Sequence, residues 1–288
     1  MKILVTGALG QLGAELCSQL GGDAIPIDID TLDLTNGPAV RKALAEMAPT
    51  AVINCAAYTQ VDKAESEPDL CRAVNATAVE HLAEACGRLD CPLVQISTDY
   101  VFGDPAAPRR PHLESDATLP QGVYARTKYE GELAAARHAK HLIVRTCGLY
   151  AQPSHQRAQN FVKTILRLAQ SRDHLRVVAD QHCTPSYVPH VAKAVLFLLD
   201  AGQRSAAPWG VYHVTNGGAT TWHAVASEIV RLAGLKTTVE AITTAEYPLP
   251  APRPAYSVLD TTAYHRLGGP AMPSWDAALA EYFAELKQ

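Results

Sequence analysis

The chain has 288 residues, of which 48% are hydrophobic and 19% charged, and its net charge is −4. This is the balance of an ordinary globular protein, and an acidic chain is not expected to bind nucleic acid. No apolar run reaches the roughly 18 residues that a membrane-spanning helix needs, so no membrane partner is expected. The opening residues turn too early for a secretory signal.

The seven cysteines are scattered and include no C-x-x-C pair. We therefore expect free thiols in a reducing compartment and a cytoplasmic location. No Cys/His cluster has the spacing of metal ligands, so no metal site is predicted.

In the first half, short β-rich apolar runs alternate with helical stretches. Strands are predicted at residues 3–6, 24–27, 51–54, 93–96 and 142–145, and helices at 11–20, 38–47, 69–86 and 123–139. This alternation predicts βαβ units and a buried parallel sheet with helices on both faces.

The second half is less regular. Helices are predicted at residues 159–170, 190–199, 222–232 and 275–286, and short strands at 175–178 and 210–214. The predicted fold is α/β, a Rossmann-like doubly wound parallel sheet with a smaller mixed α/β substrate-binding lobe. Residues 1–150 would bind a dinucleotide, and residues 151–288 would form most of the lobe, with some segments returning to the sheet.

A glycine-rich turn, Gly7, Gly10 and Gly13 in the spacing G-x-x-G-x-x-G, follows the first strand and opens the first helix. In that context the glycines permit a tight turn and a close approach of backbone N–H groups to a pyrophosphate. The alternative is a turn used only for packing.

Asp28 ends the second strand. A carboxylate there can accept hydrogen bonds from an adenosine ribose, which suits NAD, although NADPH is not excluded. A solubilising residue at a strand end is the other interpretation.

Tyr124 and Lys128 are four residues apart on a predicted helix, so their side chains share one face. The lysine charge is predicted to lower the tyrosine pKa by roughly two units, which suits general acid/base work. Thr98 follows the fourth strand at its carboxyl end, where ligands bind in open α/β sheets. It could polarise a substrate carbonyl, or with Ser97 simply cap the strand.

These residues resemble known sequences over essentially the whole chain. The glycine turn, Asn54–Ala57, Ser97–Gly103 and the Tyr124/Lys128 pair are similar to extended short-chain dehydrogenase/reductases. The stretches Ala57–Glu65 and Ser97–Phe102, with Asn160-Phe161, Gly210–His213 and Arg253-Pro254, look like the dTDP-4-dehydrorhamnose reductase family.

The resemblance implies NADPH- or NADH-dependent reduction of a nucleotide-linked 4-keto-6-deoxy sugar in dTDP-rhamnose biosynthesis. We also expect that the chain can form a homodimer. It implies that Thr98, Tyr124 and Lys128 are catalytic and that Asn75 supports the lysine through water. The implied substrate contacts are Thr98, Asp99, Asn160 and Arg253. Besides the three glycines, the implied cofactor contacts are Gln11, Leu12, Asp28, Asp33, Leu34, Ala57, Tyr58, Thr59, Tyr124 and Lys128.

One departure concerns the sugar. The family usually carries a tryptophan, stacked against the sugar, where this chain has Gly148. Neither Trp209 nor Trp222 is assigned to replace it.

Two alternatives stay open at this point. A sugar-nucleotide epimerase of the same fold would retain NAD without net turnover, whereas a dehydratase is disfavoured because Tyr100 stands where a glutamate is expected. A non-catalytic binding or regulatory subunit is the third hypothesis.

Overall fold

The computed structural model describes residues 2–104, 106, 109–152, 159–205 and 208–287. In chain order the strands are β1 (Ile3–Thr6), β2 (Ala24–Ile27), β3 (Ala51–Asn54), β4 (Leu93–Thr98), β5 (His141–Thr146), β6 (Leu149–Tyr150), β7 (His174–Val178), β8 (His182–Cys183), β9 (Ser186–Tyr187), β10 (Gly210–His213), β11 (Thr220–Thr221) and β12 (Thr238–Ile242). The helices are α1 (Gln11–Leu20), α2 (Gly37–Met47), α3 (Val61–Ala64), α4 (Pro68–Arg72), α5 (Ala78–Leu89), α6 (Gly122–Ala135), α7 (Phe161–Ala169), α8 (Val188–Gln203), α9 (Trp222–Leu232), α10 (Thr262–Arg266) and α11 (Trp275–Leu286).

The central sheet has six strands in the order β10-β5-β4-β3-β1-β2, and every neighbouring pair is parallel. The order reverses between β1 and β3, because the chain runs from β1 to β2 on one side and then crosses to β3 on the other. In open α/β sheets a ligand crevice forms at such a reversal, outside the carboxyl ends of the strands. The fold therefore puts the ends of β1, β3 and β4 at one site.

Helices cover both faces of this sheet. On one face α1 and α8 pack against it, with Leu16 and Val191 in a common core, and on the other face α2 and α5 do so, with Leu44 and Leu82 in a second core. The predicted doubly wound α/β fold is confirmed. Strand β10, from the second half of the chain, lies at the edge of the sheet beside β5.

A third core lies outside the sheet, where α7, α9 and α11 pack with β7 and β12. Strands β7 and β12 pair in parallel, with Thr238 opposite His174. Strand β12 was not predicted because its sequence, TVEAI, is mostly exposed and lacks an apolar run.

The predicted helix at residues 69–86 is wrong in one respect. It is divided by a π-helical segment, Ala73–Thr77, between α4 and α5. Such segments widen a helix locally and occur often at functional sites. Here the segment carries Asn75, which is buried.

All seven cysteines are free, and five of them are buried. Over the described ranges listed above, no helix is long and apolar enough to cross a membrane. Within those same ranges no group of three or more His, Cys, Asp or Glu side chains is arranged to hold a metal ion.

Candidate active site

The glycine-rich turn joins β1 to α1. Gly7 has φ of +62°, and a Cβ on Gly13 would lie 2.1 Å from the Gly7 carbonyl oxygen, so the turn cannot carry a side chain at residue 13. Of the described residues, none caps the N-terminus of α1 with its side chain, and no acidic residue lies in the first turn. The free N–H groups and the helix dipole therefore suit an anion such as a pyrophosphate. Leu12 places its side chain in the core, which leaves its main chain for such a contact.

Asp28 lies directly beside this turn. Its carboxylate accepts hydrogen bonds from the N–H groups of Leu9 (2.8 Å) and Ile29 (2.9 Å). A carboxylate has about four acceptor positions, so Asp28 fixes the turn and still has capacity for a ribose hydroxyl. Asp33 accepts from Thr35 through N–H and hydroxyl, and these bonds lower the pKa of Asp33.

Two further predicted cofactor contacts lie nearby. Leu34 is buried, and its carbonyl oxygen lies 3.0 Å from Nδ1 of His81. Gln11 accepts from the N–H of Ala151 and from Nδ2 of Asn160, both at 2.9 Å. Gln11 thus ties the first turn of α1 to the chain that enters α7.

The segment with Ala57, Tyr58 and Thr59 follows β3, and Asn75 holds it through hydrogen bonds to its main chain. The N–H of Tyr58 donates to Oδ1 of Asn75 (2.8 Å), and Nδ2 of Asn75 donates to the Tyr58 carbonyl (3.1 Å) and the Thr127 hydroxyl (3.2 Å). Asn75 therefore fixes this segment against α6. On α6, Asn75 bonds to Thr127, the residue before Lys128, and not to the Lys128 ammonium.

A chain of buried polar groups crosses the carboxyl ends of β1, β3 and β4. Thr6 donates to Oδ1 of Asn54 (2.5 Å), and Nδ2 of Asn54 donates to Oε1 of Gln95 (2.7 Å). The carbonyl oxygen of Ile96 then accepts from Gln95 (2.9 Å) and from Nζ of Lys128 (2.6 Å). Buried polar groups that satisfy one another fix their positions, so Lys128 is anchored to β4.

Thr98 and Tyr124 meet beyond this anchor. The Thr98 hydroxyl accepts from the N–H of Tyr100 (3.2 Å) and donates to Oδ1 of Asp99 (3.2 Å). Thr98 is also close enough to Tyr124 to lower the Tyr124 pKa. The rings of Tyr100 and Tyr124 meet edge to face at 5.8 Å. A carbonyl oxygen placed between the two hydroxyls of Thr98 and Tyr124 could accept from both.

Burial determines whether Tyr124 carries its proton. It raises the pKa of Tyr124, with the nearby Asp99 adding to the rise and the hydrogen bond with Thr98 opposing it. The predicted lowering of the Tyr124 pKa is therefore wrong for the protein alone, because desolvation of the phenolate raises it,. Burial also lowers the pKa of Lys128 to about 8, against the attraction of Glu132.

A pocket opens next to Tyr100. Asp99 forms part of its wall, is 2% exposed, and accepts a hydrogen bond from Ser257 (2.5 Å). Burial raises the pKa of Asp99. The pocket is lined by Asp99, Tyr100, Gln181, His182, Cys183, Trp222, Arg253, Pro254 and Ser257.

The two other predicted substrate residues lie in different places. Arg253 lines this pocket, and both of its Nη atoms donate to the Asp62 carboxylate at 2.5 and 2.7 Å. That ion pair lowers the pKa of Asp62. Asn160 lies instead beside the glycine turn, where it donates to Gln11 and accepts from the N–H of Lys163 at the start of α7.

A buried ion pair behind the site was not predicted. Glu132 accepts from Nε and Nη2 of Arg145 at 2.9 and 2.7 Å and from the Ser97 hydroxyl at 2.5 Å. Ser97 therefore faces the protein interior rather than a substrate. The sequence signal was available, since Glu132 lies four residues after Lys128 and so on the same face of α6.

Comparison with known proteins gives consistent matches. The family model "RmlD substrate binding domain" matches residues 1–288. A dTDP-4-dehydrorhamnose reductase of Streptomyces griseus is 43% identical, over 98% of this chain and 93% of that protein. The crystal structure of a dTDP-4-dehydrorhamnose reductase of Clostridium acetobutylicum is 41% identical, with a TM-score of 0.93 over 100% of both chains. That of Bacillus anthracis, in complex with NADP, is 36% identical, with a TM-score of 0.92 over 99% of this chain and 100% of that one.

Proposed function

Because the chain belongs to the RmlD family of dTDP-4-dehydrorhamnose reductases, we propose that it reduces the C4 carbonyl of dTDP-4-dehydrorhamnose with NADPH or NADH. The relatives are reductases by name, which favours this reaction over epimerisation. The observation that carries the proposal is the meeting of Thr98, Tyr124 and anchored Lys128 at the end of β4, between the glycine turn and the pocket.

The proposed chemistry assigns one task to each side chain. When bound, the reduced nicotinamide supplies the hydride that C4 accepts. Tyr124 gives its proton to the C4 oxygen as the carbonyl becomes an alcohol, and Thr98 donates a hydrogen bond to that oxygen. Because burial raises the Tyr124 pKa, the phenol holds its proton at neutral pH, the state that a proton donor in reduction requires.

Lys128 is proposed to hold the nicotinamide ribose and to stabilise the tyrosinate left after proton transfer. Its anchor on the Ile96 carbonyl leaves two further N–H donors of the ammonium,. At neutral pH a group with a pKa of about 8 is mainly charged. The ammonium, carried one helical turn after Tyr124 on α6, would offset part of the cost of forming the phenolate.

The residues around the turn fit a nicotinamide dinucleotide. The main chain of Gly10, Gln11 and Leu12 would hold the pyrophosphate, because the N-terminus of α1 carries no side-chain cap among the described residues. Asp28 would accept from the adenosine ribose. The adenine side would be flanked by Asp33 and Leu34, and the nicotinamide side by Ala57, Tyr58 and Thr59.

For the substrate, Asp99 and Arg253 remain the proposed contacts, since both line the pocket. The Arg253 charge suits a nucleotide diphosphate, although its pairing with Asp62 reduces the net charge there. We propose Asn160 as a positioning residue, because its amide is already bonded to Gln11 and to α7.

We further propose that the two parts of the chain bind different ligands. Residues 1–150 would bind the dinucleotide and most of 151–288 the sugar nucleotide, while β10 adds to the sheet. The homodimer and the cytoplasmic location stay predictions, and light scattering of the purified chain checks the former.

The test uses purified protein, dTDP-4-dehydrorhamnose and each reduced cofactor in turn. We expect substrate-dependent oxidation of NADPH or NADH in the wild type. In Tyr124→Phe we expect a kcat lower by roughly 10²–10⁴-fold, because the variant lacks the proton donor. If the wild type oxidises neither cofactor, the proposal is wrong.

A further inference from the structure

We propose that Trp222 forms the aromatic wall on which the sugar ring of the substrate packs, in the space left open by Gly148. The inference rests on the proposed function, because it names a specificity-determining residue of that same site.

The chain path brings Trp222 to the pocket. Trp222 is the first residue of α9 and follows β11, which pairs antiparallel with β8 so that Thr221 lies opposite His182. His182 and Trp222 consequently line one pocket, together with Asp99 and Ser257. The indole is partly exposed, so a ligand can reach it.

Gly148 and Trp222 occupy adjoining space. Gly148 has φ of +52°, and a Cβ built on it would lie 2.9 Å from Cη2 of Trp222 and 3.2 Å from Cα of Pro185. A side chain at residue 148 would therefore displace the indole. A large side chain at 148 and the observed position of Trp222 exclude each other, so the glycine is what lets α9 present its tryptophan here.

The indole is also held in place. Its ring lies 4.6 Å, centroid to centroid, from that of Phe161. Thr221 caps α9 by accepting from the N–H of Ala224 (3.2 Å). A fixed aromatic ring loses little conformational freedom when a ligand packs on it.

The chemistry of the wall suits a pyranose. A sugar ring has an apolar C–H face and a polar rim of hydroxyls. Trp222 offers a flat apolar surface, and the buried Asp99 carboxylate and its partner Ser257 offer hydrogen bonds at the rim. The alternative is that Trp222 only packs α7 against α9, as a member of the third core.

Binding measurements separate these roles. The purified protein is titrated with dTDP-rhamnose and with dTDP by calorimetry, in the presence of oxidised cofactor. In Trp222→Ala we expect roughly tenfold weaker binding of dTDP-rhamnose, about 1.4 kcal/mol, with dTDP changed less than twofold. Trp222→Phe should restore most of the loss. Trp209→Phe is the control, because the Trp209 ring packs on Gly202 in α8.

A second pair of variants tests the contact without removing the indole. Gly148→Ala places a methyl group against Trp222, and Gly234→Ala is the matched control, since Gly234 also has positive φ (+66°) but nothing within 4 Å of a new Cβ. Both substitutions put a side chain on a residue with positive φ, so only Gly148→Ala should selectively weaken the binding of dTDP-rhamnose. Equal weakening of dTDP and dTDP-rhamnose in Trp222→Ala, or no weakening of either, overturns the inference. So does a wild type that binds dTDP-rhamnose no more tightly than dTDP. Failure of the proposed function shows separately, as absence of cofactor oxidation in the turnover assay.

Discussion

Glu132→Gln removes the negative partner of a buried guanidinium. The side chains of Arg145 and Glu132 are 5% and 3% exposed, and two hydrogen bonds join them. Arg145 has two further polar neighbours among the described residues. His213 lies 3.4 Å from Nη1, with a pKa lowered to about 3 by burial and by Arg145 itself, so its neutral imidazole cannot compensate the charge. The Glu114 carboxylate accepts from the N–H of His213 and acts on Arg145 only through its charge.

Breaking such a pair by neutralising one partner costs about 3–5 kcal/mol, because the other charge stays buried without compensation. We expect the free energy of unfolding of Glu132→Gln, measured in urea, to fall by that amount. The matched control is Glu228→Gln, whose partner Arg231 is 68% exposed and bonded through two atoms in the same way. An exposed pair contributes about 0–1 kcal/mol, so the control should change little.

The same variant has a second, independent consequence. Glu132 favours the charged form of Lys128 and opposes the burial that brings the Lys128 pKa to about 8. In Glu132→Gln that pKa should fall further, so the loss of kcat at alkaline pH should begin at a lower pH than in the wild type. A loss of stability below about 1 kcal/mol, equal to that of Glu228→Gln, would refute the reasoning about the buried pair.

Three further predictions follow from the site. Gly13→Ala should abolish cofactor binding in a fluorescence titration, because its Cβ would lie 2.1 Å from a carbonyl oxygen of the turn, whereas Gly22→Ala, with open space around it, should bind normally; retained affinity in Gly13→Ala would count against the turn as the site. The wild-type kcat should fall as pH rises through about 8, because Lys128 has a pKa of about 8 and is charged below that pH and neutral above it. A wild-type kcat that stays constant to pH 10 would count against the role of Lys128, and so would the same alkaline fall in Lys128→Met. Asp62→Asn should raise the KM for the nucleotide sugar roughly tenfold, about 1.4 kcal/mol, because it frees Arg253 from its bidentate partner; an unchanged KM would show that this pairing does not position Arg253.

Local sequence signals predicted the regular part of the fold. Strand β1 and helix α1 were placed to the residue, because the glycine turn marks the boundary between them. The strands of two residues, such as β8 and β11, gave no signal, since they are too short for any periodicity and exist only through pairing across the chain. The π-helical segment around Asn75 was missed because it depends on contacts with Tyr58 and α6.

In the site, too, local sequence predicted some features, whereas others depend on contacts across the fold. Thr98, Tyr124 and Lys128 could be predicted as candidates, because a strand end in an open α/β sheet and a four-residue spacing on the helix that follows are both visible in the sequence. The protonation of Tyr124 was predicted in the wrong direction, because burial is a property of the fold and not of a pair of residues. The contact between Gly148 and Trp222 joins residues 74 positions apart, which only the packing of α9 reveals.

The most direct test of the proposed reaction follows the hydride. The wild-type protein is supplied with dTDP-4-dehydrorhamnose and the cofactor it prefers, carrying deuterium at both C4 positions of the dihydronicotinamide ring, and the product is examined by NMR. We predict dTDP-rhamnose with one deuterium on C4 of the sugar and one oxidised cofactor released for each product molecule. A sugar product without deuterium, or conversion with no net oxidation of the cofactor, would contradict it.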